Sequence, residues 1–347
     1  MVRLDEDPSR AQIVLVGALA IAFIVLGIVV VFNTSLYAEN VDSTGTVSSV
    51  NQAEQVRHAG GDSVAGVAYR VNDGTFATTG DAATAIRGNL TNFSAVWQGL
   101  YAQSQPTVLN ASFNDSVTHY GVRVFSTGNE SFEANTMGSS NWSVTKSSDP
   151  TYFANATMTV MGPTTLSNSS DDSFRVAVLG EGGSGFRWRV LRFTHDRNGN
   201  DNLTIQSATG TDSGDPGNNY GDSTPAGAEV CDIDVGDEFI IDLSNGSVQG
   251  SSSMCSFEFT TGLDPINSDE GYELRLMNPD NVSGRYSMIL RNESTITGRF
   301  FDKVPTTPAG APSYSYVAWA AGVDIEYGSP TSTYNQTITV PVYNSTR

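Results

Sequence analysis

The most apolar part of the chain is a run of 20 residues without a charge, Ile13–Phe32. No acidic or basic residue lies between Arg10 and Glu39, so the uncharged stretch continues beyond this run. Twenty helical residues cover about 30 Å at 1.5 Å per residue, which is the thickness of a bilayer core. A buried core helix of this length usually carries a polar face, and this run has none. We therefore predict a transmembrane helix within 12–38.

The charges around this segment predict its orientation. Arg3 and Arg10 precede it and the next basic residue is Arg57, so the positive-inside rule leaves the N-terminus in the cytoplasm and the following chain outside. A cleaved signal peptide is the alternative, and its apolar region spans about 7–15 residues before a small-residue site. The run in this chain is longer and Leu36-Tyr37-Ala38 is a poor site. We therefore expect the helix to be retained as a single-pass anchor in the cell membrane.

The period of the apolar positions changes after the anchor. Residues 39–105 are predicted to form a helical neck, whose clearest helix is 81–104. From 106 to 347 the pattern changes to short strands separated by Ser, Asn, Asp and Gly, which is typical of sandwiches. One face of the clearest helix is apolar at spacings of three and four, and we expect that face to pack in the core: Ala82, Ile86, Leu90, Phe93, Trp97, Leu100 and Tyr101.

The predicted fold class is therefore α+β. An N-terminal transmembrane helix and the helical neck precede a large, β-rich, sandwich-like antiparallel head that faces the outside. The polar stretches 127–150 and 196–226 are predicted to be surface insertions of that head. Its predicted strands are 117–125, 155–161, 174–179, 186–194, 238–243, 255–260, 272–277, 285–291, 314–326 and 335–343.

The chain is strongly acidic, with 18 Lys and Arg against 37 Asp and Glu and a net charge of −19. A nucleic-acid binder needs clustered basic residues on phosphates, so this class of protein is disfavoured. Lys146 and Lys303 are the two lysines, and acidity with so little lysine is typical of proteins that stay hydrated in concentrated salt. An acidic surface protein from a low-salt organism is the alternative that charge alone leaves open.

N-glycosylation sequons are more frequent than composition explains. Fifteen of the 25 asparagines begin an N-x-[Ser/Thr] sequon, whereas the Ser and Thr content alone accounts for roughly five. The excess indicates a glycosylated exterior. The candidate asparagines are Asn33, Asn89, Asn92, Asn110, Asn114, Asn129, Asn141, Asn155, Asn168, Asn202, Asn245, Asn281, Asn292, Asn335 and Asn344.

The two cysteines, Cys231 and Cys255, both follow the predicted anchor and so lie on its outer side. Such a pair usually forms a disulfide in an oxidising compartment. Two inert buried thiols are the alternative. The spacing lacks the close ligand pairs of zinc sites, so a metal site at these cysteines is disfavoured.

The sequence contains no catalytic motif, and the three histidines His58, His119 and His195 are scattered. We therefore do not predict an enzyme or an organic cofactor. The segment 196–202 places oxygen ligands at alternate positions, Asp196, Asn198 and Asn200, which is a pattern suited to a structural Ca²⁺ ion. An Asx-rich hairpin loop without a metal is the alternative interpretation.

The junction before the apolar run consists of Arg10, Ala11 and Gln12, a base and a small residue followed by an uninterrupted apolar helix. This junction resembles the class III signal of archaeal type IV prepilins, and 12–40 is similar to pilin-like surface proteins of halophilic archaea. The resemblance implies a leader, 1–11, that a prepilin peptidase removes between Ala11 and Gln12. It also implies association of the retained helix with other pilin-like subunits.

Together these observations predict a pilin-like surface glycoprotein of a halophilic archaeon with a structural or adhesive role, which includes the role of a pilus or filament subunit. A membrane-tethered binding protein that does not assemble is the first alternative. A tethered extracellular hydrolase is the second. Peptidase cleavage and helix-driven assembly distinguish the pilin-like protein, whereas a hydrolase requires a cleft with convergent ionisable groups.

Overall fold

The computed structural model of the chain describes residues 25–26, 28–29, 54–104, 108–133, 141–145, 150–162, 166–167, 172–181, 187–195, 202–210, 228–250, 254–266, 271–291, 312–329 and 332–343. In these residues, two helices precede the strands: α1, described over 54–71, and α2, Thr79–Ser104. The short turn 72–78 joins the helices. Thr78 caps α2, because its Oγ1 accepts a hydrogen bond from the Asp81 N–H and the Asp81 carboxylate accepts one from the Thr78 N–H.

Fifteen strands in the described residues form two antiparallel sheets. The large sheet has nine strands in the order β1-β14-β2-β13-β4-β9-β10-β11, and β15 pairs with β14 at one edge. The small sheet has the order β3-β12-β5-β6-β7-β8. The strands are β1 Val108–Phe113, β2 His119–Ser131, β3 Asn141–Ser143, β4 Phe153–Met161, β5 Phe174–Leu179, β6 Trp188–His195, β7 Asn202–Gly210, β8 Ala228–Asp234, β9 Glu238–Asp242, β10 Ser247–Gln249, β11 Met254–Ser256, β12 Glu273–Met277, β13 Ser283–Leu290, β14 Ser313–Ser329 and β15 Ser332–Pro341.

The main core lies between the two sheets. Alternation along β4 turns Ala156, Met158 and Val160 inward and leaves the intervening residues half-buried or exposed. These side chains belong to the same buried cluster as Phe174 and Val176 of β5, so the inner faces of the two sheets pack against each other. Each fully buried side chain of this size contributes about 1.5–3 kcal/mol relative to exposure.

The helices cover part of the outer face of the large sheet. Val64 and Ala68 of α1 and Leu90 and Trp97 of α2 pack against one end of the sheet, in a cluster that includes Ile325 of β14. The predicted apolar face of α2 is therefore largely confirmed. Its C-terminal end is the exception, because Leu100 is 61% exposed.

The head is β-rich with antiparallel sheets and few helices, as the fold-class prediction states. The predicted surface insertions are wrong in part. Strand β7 lies inside 196–226, and both β3 and the end of β2 lie inside 127–150. Leu203 and Ile205 of β7 are fully buried, which accounts for a strand within an otherwise polar stretch.

The predicted transmembrane segment 12–38 lies outside the described residues apart from four positions. Those positions are helical, and they are Val25, Leu26, Ile28 and Val29. Among the residues that the structure describes, no helix has both the length and the apolar character needed to cross a membrane.

Candidate functional site

A groove of about 440 Å³ opens on the outer face of the large sheet, beside the turn that joins α1 and α2. We call it the sheet groove. Side chains from β2, β4, β13 and the turn line it, and the ones that define its chemistry are Asp73, Arg123, Phe125, Thr157, Thr159, Arg285 and Ser287. The helices cover the neighbouring strands β1, β14 and β15, so the groove begins where the helical cover ends.

Strand register places short hydroxyl side chains along the floor of the sheet groove. Ser287 of β13 pairs with Phe125 on one side and with Thr157 on the other. Thr159 lies two residues further along β4, opposite Arg285. Because neighbouring strands are about 4.8 Å apart, the hydroxyl residues form a compact polar surface across β13 and β4, with Phe125 of β2 beside it.

Two β-bulges border the groove. The pairing of β2 with β13 jumps from Ser126 to Glu130, so three residues of β2, 127–129, stand opposite Arg285. On the other side of β13 the pairing with β4 also shifts between Ser287 and Ile289. The extra residue of β4 lies at 155–156, where Asn155 has a φ of +46°. Asparagine tolerates this left-handed conformation better than most residues do. Bulges of this kind bend strands and redirect side chains, and they are frequent beside binding sites.

Arg123 joins the groove to the helical turn. Its Nη1 donates a hydrogen bond to the carbonyl oxygen of Asp73 and its Nη2 donates one to that of Gly74, each at 3.1 Å. The guanidinium also lies over the ring of Phe125, 4.4 Å from the ring centroid. Burial lowers the pKa of Arg123 from its ordinary value, and the Asp73 carboxylate opposes that shift. Arg123 therefore fixes one wall of the groove.

Arg285 is the more accessible cation of the groove. Its side chain is 53% exposed, and Nη2 lies 3.4 Å from Oε1 of Glu238, which is itself 43% exposed. An ion pair of this exposure contributes about 0–1 kcal/mol, so Glu238 holds the guanidinium weakly. The remaining N–H groups of Arg285 are available to a planar acceptor such as a carboxylate.

The buried side chain of Asn72 attaches the turn beside the groove to β14. The amide of Asn72 donates to the carbonyl oxygen of Ala318 at 2.8 Å and accepts from the N–H of Ala318 at 2.9 Å. It also donates to the hydroxyl of Tyr343. Ala318 lies where the pairing of β14 with β2 shifts, so Asn72 completes hydrogen bonding at an irregular position of the strand.

Sequence reasoning did not identify Arg123, Arg285 or Asn72. A signal for the two arginines was present, since each interrupts an apolar alternation at an outward position of a strand in an acidic chain. Asn72 precedes Asp73 and Gly74, which indicates a turn. Its partner Ala318 is 246 residues away, and no local pattern predicts that contact.

The disulfide prediction is confirmed: Cys231 and Cys255 are bonded, with Cα atoms 6.0 Å apart. Cys231 lies in β8, at an edge of the small sheet, and Cys255 lies in β11, at an edge of the large sheet. The bond therefore links the two sheets rather than neighbouring strands of one sheet. Neither cysteine is free.

Eleven of the fifteen sequon asparagines lie in the described residues, and none of the eleven is buried. Asn33, Asn168, Asn292 and Asn344 lie outside the described residues. The buried asparagine among the described residues is Asn72, which does not begin a sequon. Eight of the eleven are exposed and three are half-buried: Asn89, Asn92, Asn110, Asn129, Asn141, Asn155, Asn245 and Asn335, then Asn114, Asn202 and Asn281.

The remaining predicted site residues lie outside the described residues. They are the processing residues Arg10, Ala11 and Gln12 and the calcium candidates Asp196, Asn198 and Asn200. Within the part of the chain that the structure describes, no three His, Cys, Asp or Glu side chains are grouped as a metal site requires.

Residues 7–132 match DUF7261, a family of unknown function. No curated protein matches the chain. The matched range contains the predicted processing junction, the apolar run, both helices and the first two strands. It therefore includes Arg123 of the sheet groove and ends before Arg285.

Proposed function

We propose that the chain is a pilin-like subunit of an archaeal cell surface. Its N-terminal apolar helix holds it in the membrane or in a filament, and its acidic, glycosylated head faces outward. The observation that carries this proposal is the junction of Arg10, Ala11 and Gln12 directly before 20 uncharged residues. The exposure of the described sequon asparagines supports an outward, glycosylated head.

The described part of the apolar run supports a second point, that the helix has a partner. Val25, Leu26, Ile28 and Val29 are helical and each is more than half exposed. Apolar surface left in water costs about 25 cal/mol per Å². Lipid tails or the helices of neighbouring subunits remove that cost, and both fit a pilin-like subunit.

Removal of the leader makes assembly feasible. Residues 1–11 carry Arg3, Arg10 and three acidic residues. Moving these charges from water into an apolar helical bundle costs several kcal/mol each. Cleavage after Ala11 leaves an uncharged helix start, apart from the new N-terminal amine, and so permits the helix to leave the bilayer.

The mature N-terminus tests this proposal. We expect N-terminal sequencing and intact mass of the native protein to give Gln12 as the first residue. Arg10→Ser should block this processing, with Arg3→Ser as the matched control that leaves it unchanged. A native start at Met1 indicates a plain signal anchor and a start near Glu39 indicates a secreted protein, and either result rejects the proposal.

A second candidate function is a membrane-tethered binding protein that does not assemble, and the sheet groove favours it. Both candidate functions place the head outside the cell. They differ in whether the N-terminal helix leaves the membrane to pack in a filament or stays in the membrane. Sedimentation of the processed native protein separates them, because filaments pellet without membranes and tethered monomers do not.

A further inference from the structure

We propose that the sheet groove binds an acidic oligosaccharide, with a sugar carboxylate on Arg285 and sugar hydroxyls on the Ser and Thr floor. The inference deepens the adhesive part of the proposed function and rests on its outward-facing head. It names the class of ligand that the head recognises.

The floor of the groove suits a polyhydroxylated ligand. Ser287, Thr157 and Thr159 are half-buried, and no hydrogen bond within the described residues engages their hydroxyls. A hydroxyl both donates and accepts, so it pairs with sugar hydroxyls in either direction. Register and strand spacing set these side chains about 5 to 7 Å apart, which is close to the width of a pyranose ring.

The charge of the groove selects an acidic sugar over a neutral one. Arg285 is half exposed, and within the described residues its ion-pair partner is the exposed Glu238. Its guanidinium can therefore donate two hydrogen bonds to the carboxylate of a ligand. Arg123 stands on the opposite wall, but backbone carbonyls occupy its terminal nitrogens and the Asp73 carboxylate lies 3.8 Å from its Nη1, so Arg285 is the cation that selects the ligand. A direct contact of this kind persists when salt screens longer-range attraction.

The surrounding strands disfavour other polymers. An extended peptide binds best at a free sheet edge, and β13 at the centre of the groove is paired on both sides. A nucleic acid requires many phosphate contacts, and the lining of the groove offers two arginines for them, Arg123 and Arg285. An oligosaccharide needs neither a free edge nor a basic surface.

The saccharide has two possible sources. One is a glycan outside the protein, as on another cell. The other is a glycan attached to this chain or its neighbour, because the sequon asparagines Asn129 and Asn155 lie in the two bulges that border the groove. The chemistry of the contact is the same for both, and the experiment separates them.

The test measures binding of tetragalacturonate, with neutral tetragalactose as the matched probe. The full-length chain is prepared from a bacterial host, which attaches no N-glycan, in a polyoxyethylene detergent that contains no sugar. We expect the acidic probe to bind at least tenfold more tightly than the neutral one, and Arg285→Ala to weaken it by about tenfold or more. Arg187→Ala removes an exposed arginine beside the small sheet and should change nothing.

The same titration on glycosylated protein from the native host identifies the source. Equal binding indicates an external glycan, and lost binding indicates that an attached glycan fills the groove; both results support the inference. Absence of binding by the unglycosylated chain, equal binding of the neutral probe, or full binding by Arg285→Ala overturns it. If the native chain starts at Gln12 but the unglycosylated chain binds neither probe, the proposed function stands and only the saccharide site is rejected.

Discussion

The hydroxyls of Tyr286 and Tyr343 are both buried, but they meet different surroundings. Tyr286 packs in an aromatic cluster, its ring 5.1 Å from that of Phe132, and its hydroxyl has no hydrogen-bond partner within the described residues. The hydroxyl of Tyr343 accepts a hydrogen bond from the amide of Asn72 at 3.1 Å. Burial raises the pKa of both phenols above the ordinary value, so both are protonated at neutral pH.

This contrast predicts opposite effects of the same chemical change. Tyr286→Phe should raise the free energy of unfolding by about 1 kcal/mol, because it removes a buried polar atom that makes no bond. Tyr343→Phe should lower it by about 1 kcal/mol, because it leaves a donor of Asn72 without its acceptor. Urea unfolding of both variants measures the difference. Equal destabilisation by the two changes contradicts the assignment.

At this scale the sequence predicts little of the candidate site. The disulfide was predictable because the chain has two cysteines and so one possible pairing. The two groove arginines and Asn72 were not identified, since their roles depend on which strands become neighbours. The bulges at Asn155 and at 127–129 have no recognisable signal either, because a bulge is a property of a strand pair.

The element that connects the helices to the sheet is the turn 72–78. Asn72 binds the backbone of Ala318, and Arg123 of β2 binds the carbonyls of Asp73 and Gly74. The N–H of Phe76 donates to the hydroxyl of Ser315, which adds a third attachment. Side chains provide most of these attachments, and one backbone hydrogen bond, from the N–H of Tyr316 to the carbonyl oxygen of Phe76, adds to them.

We expect Asn72→Ala to lower the free energy of unfolding by about 3 kcal/mol, because the N–H and C=O of Ala318 both lose a buried partner. Hydrogen exchange at the Ala318 amide should also be faster in Asn72→Ala than in the unchanged protein. Asn89→Ala is the matched control. The Asn89 side chain lies at an exposed position of α2, and its amide donates to the carbonyl oxygen of Ala85 in the same helix. Unchanged exchange at Ala318 in Asn72→Ala contradicts this account of the attachment.

Strong alternation made most strands predictable. Strand β5 was predicted with its observed bounds, and β4 and β9 within two residues, because apolar positions recur at every second residue. Five of the described strands were missed: β1, β3, β7, β8 and β10. In β7 the apolar positions are few and polar residues surround them. Strand order across the sheets could not be predicted, since β14 pairs with β1, β2 and β15 over long sequence distances.

At the scale of the whole molecule, the disulfide closes one side of the sandwich. It links the last strand of the large sheet to the last strand of the small sheet, 24 residues apart in sequence. The other side of the large sheet ends in β15, which packs Ile338 and Val340 toward the helical cluster. The two ends of the large sheet are therefore stabilised by different means, one covalent and one by packing.

Reduction of the disulfide should lower the free energy of unfolding by about 3 kcal/mol, the chain-entropy value for a loop of this length. Hydrogen exchange should rise in β8 and β11 and stay unchanged in α1 and α2. The double variant Cys231→Ala, Cys255→Ala is the control, because reductant should not alter it. Two thiols that alkylate in the native, unreduced protein contradict the prediction.

The attachment of the turn to the large sheet has a mechanical consequence. For a chain held by its N-terminus and pulled through a ligand in the sheet groove, tension enters along α1 and leaves through β13 and β4. The packing of α1 on the large sheet, together with Asn72 and Arg123, carries that load from helix to sheet. The small sheet and the disulfide lie outside this path, so loss of the disulfide should weaken the molecule against denaturation and leave its resistance to this pull unchanged.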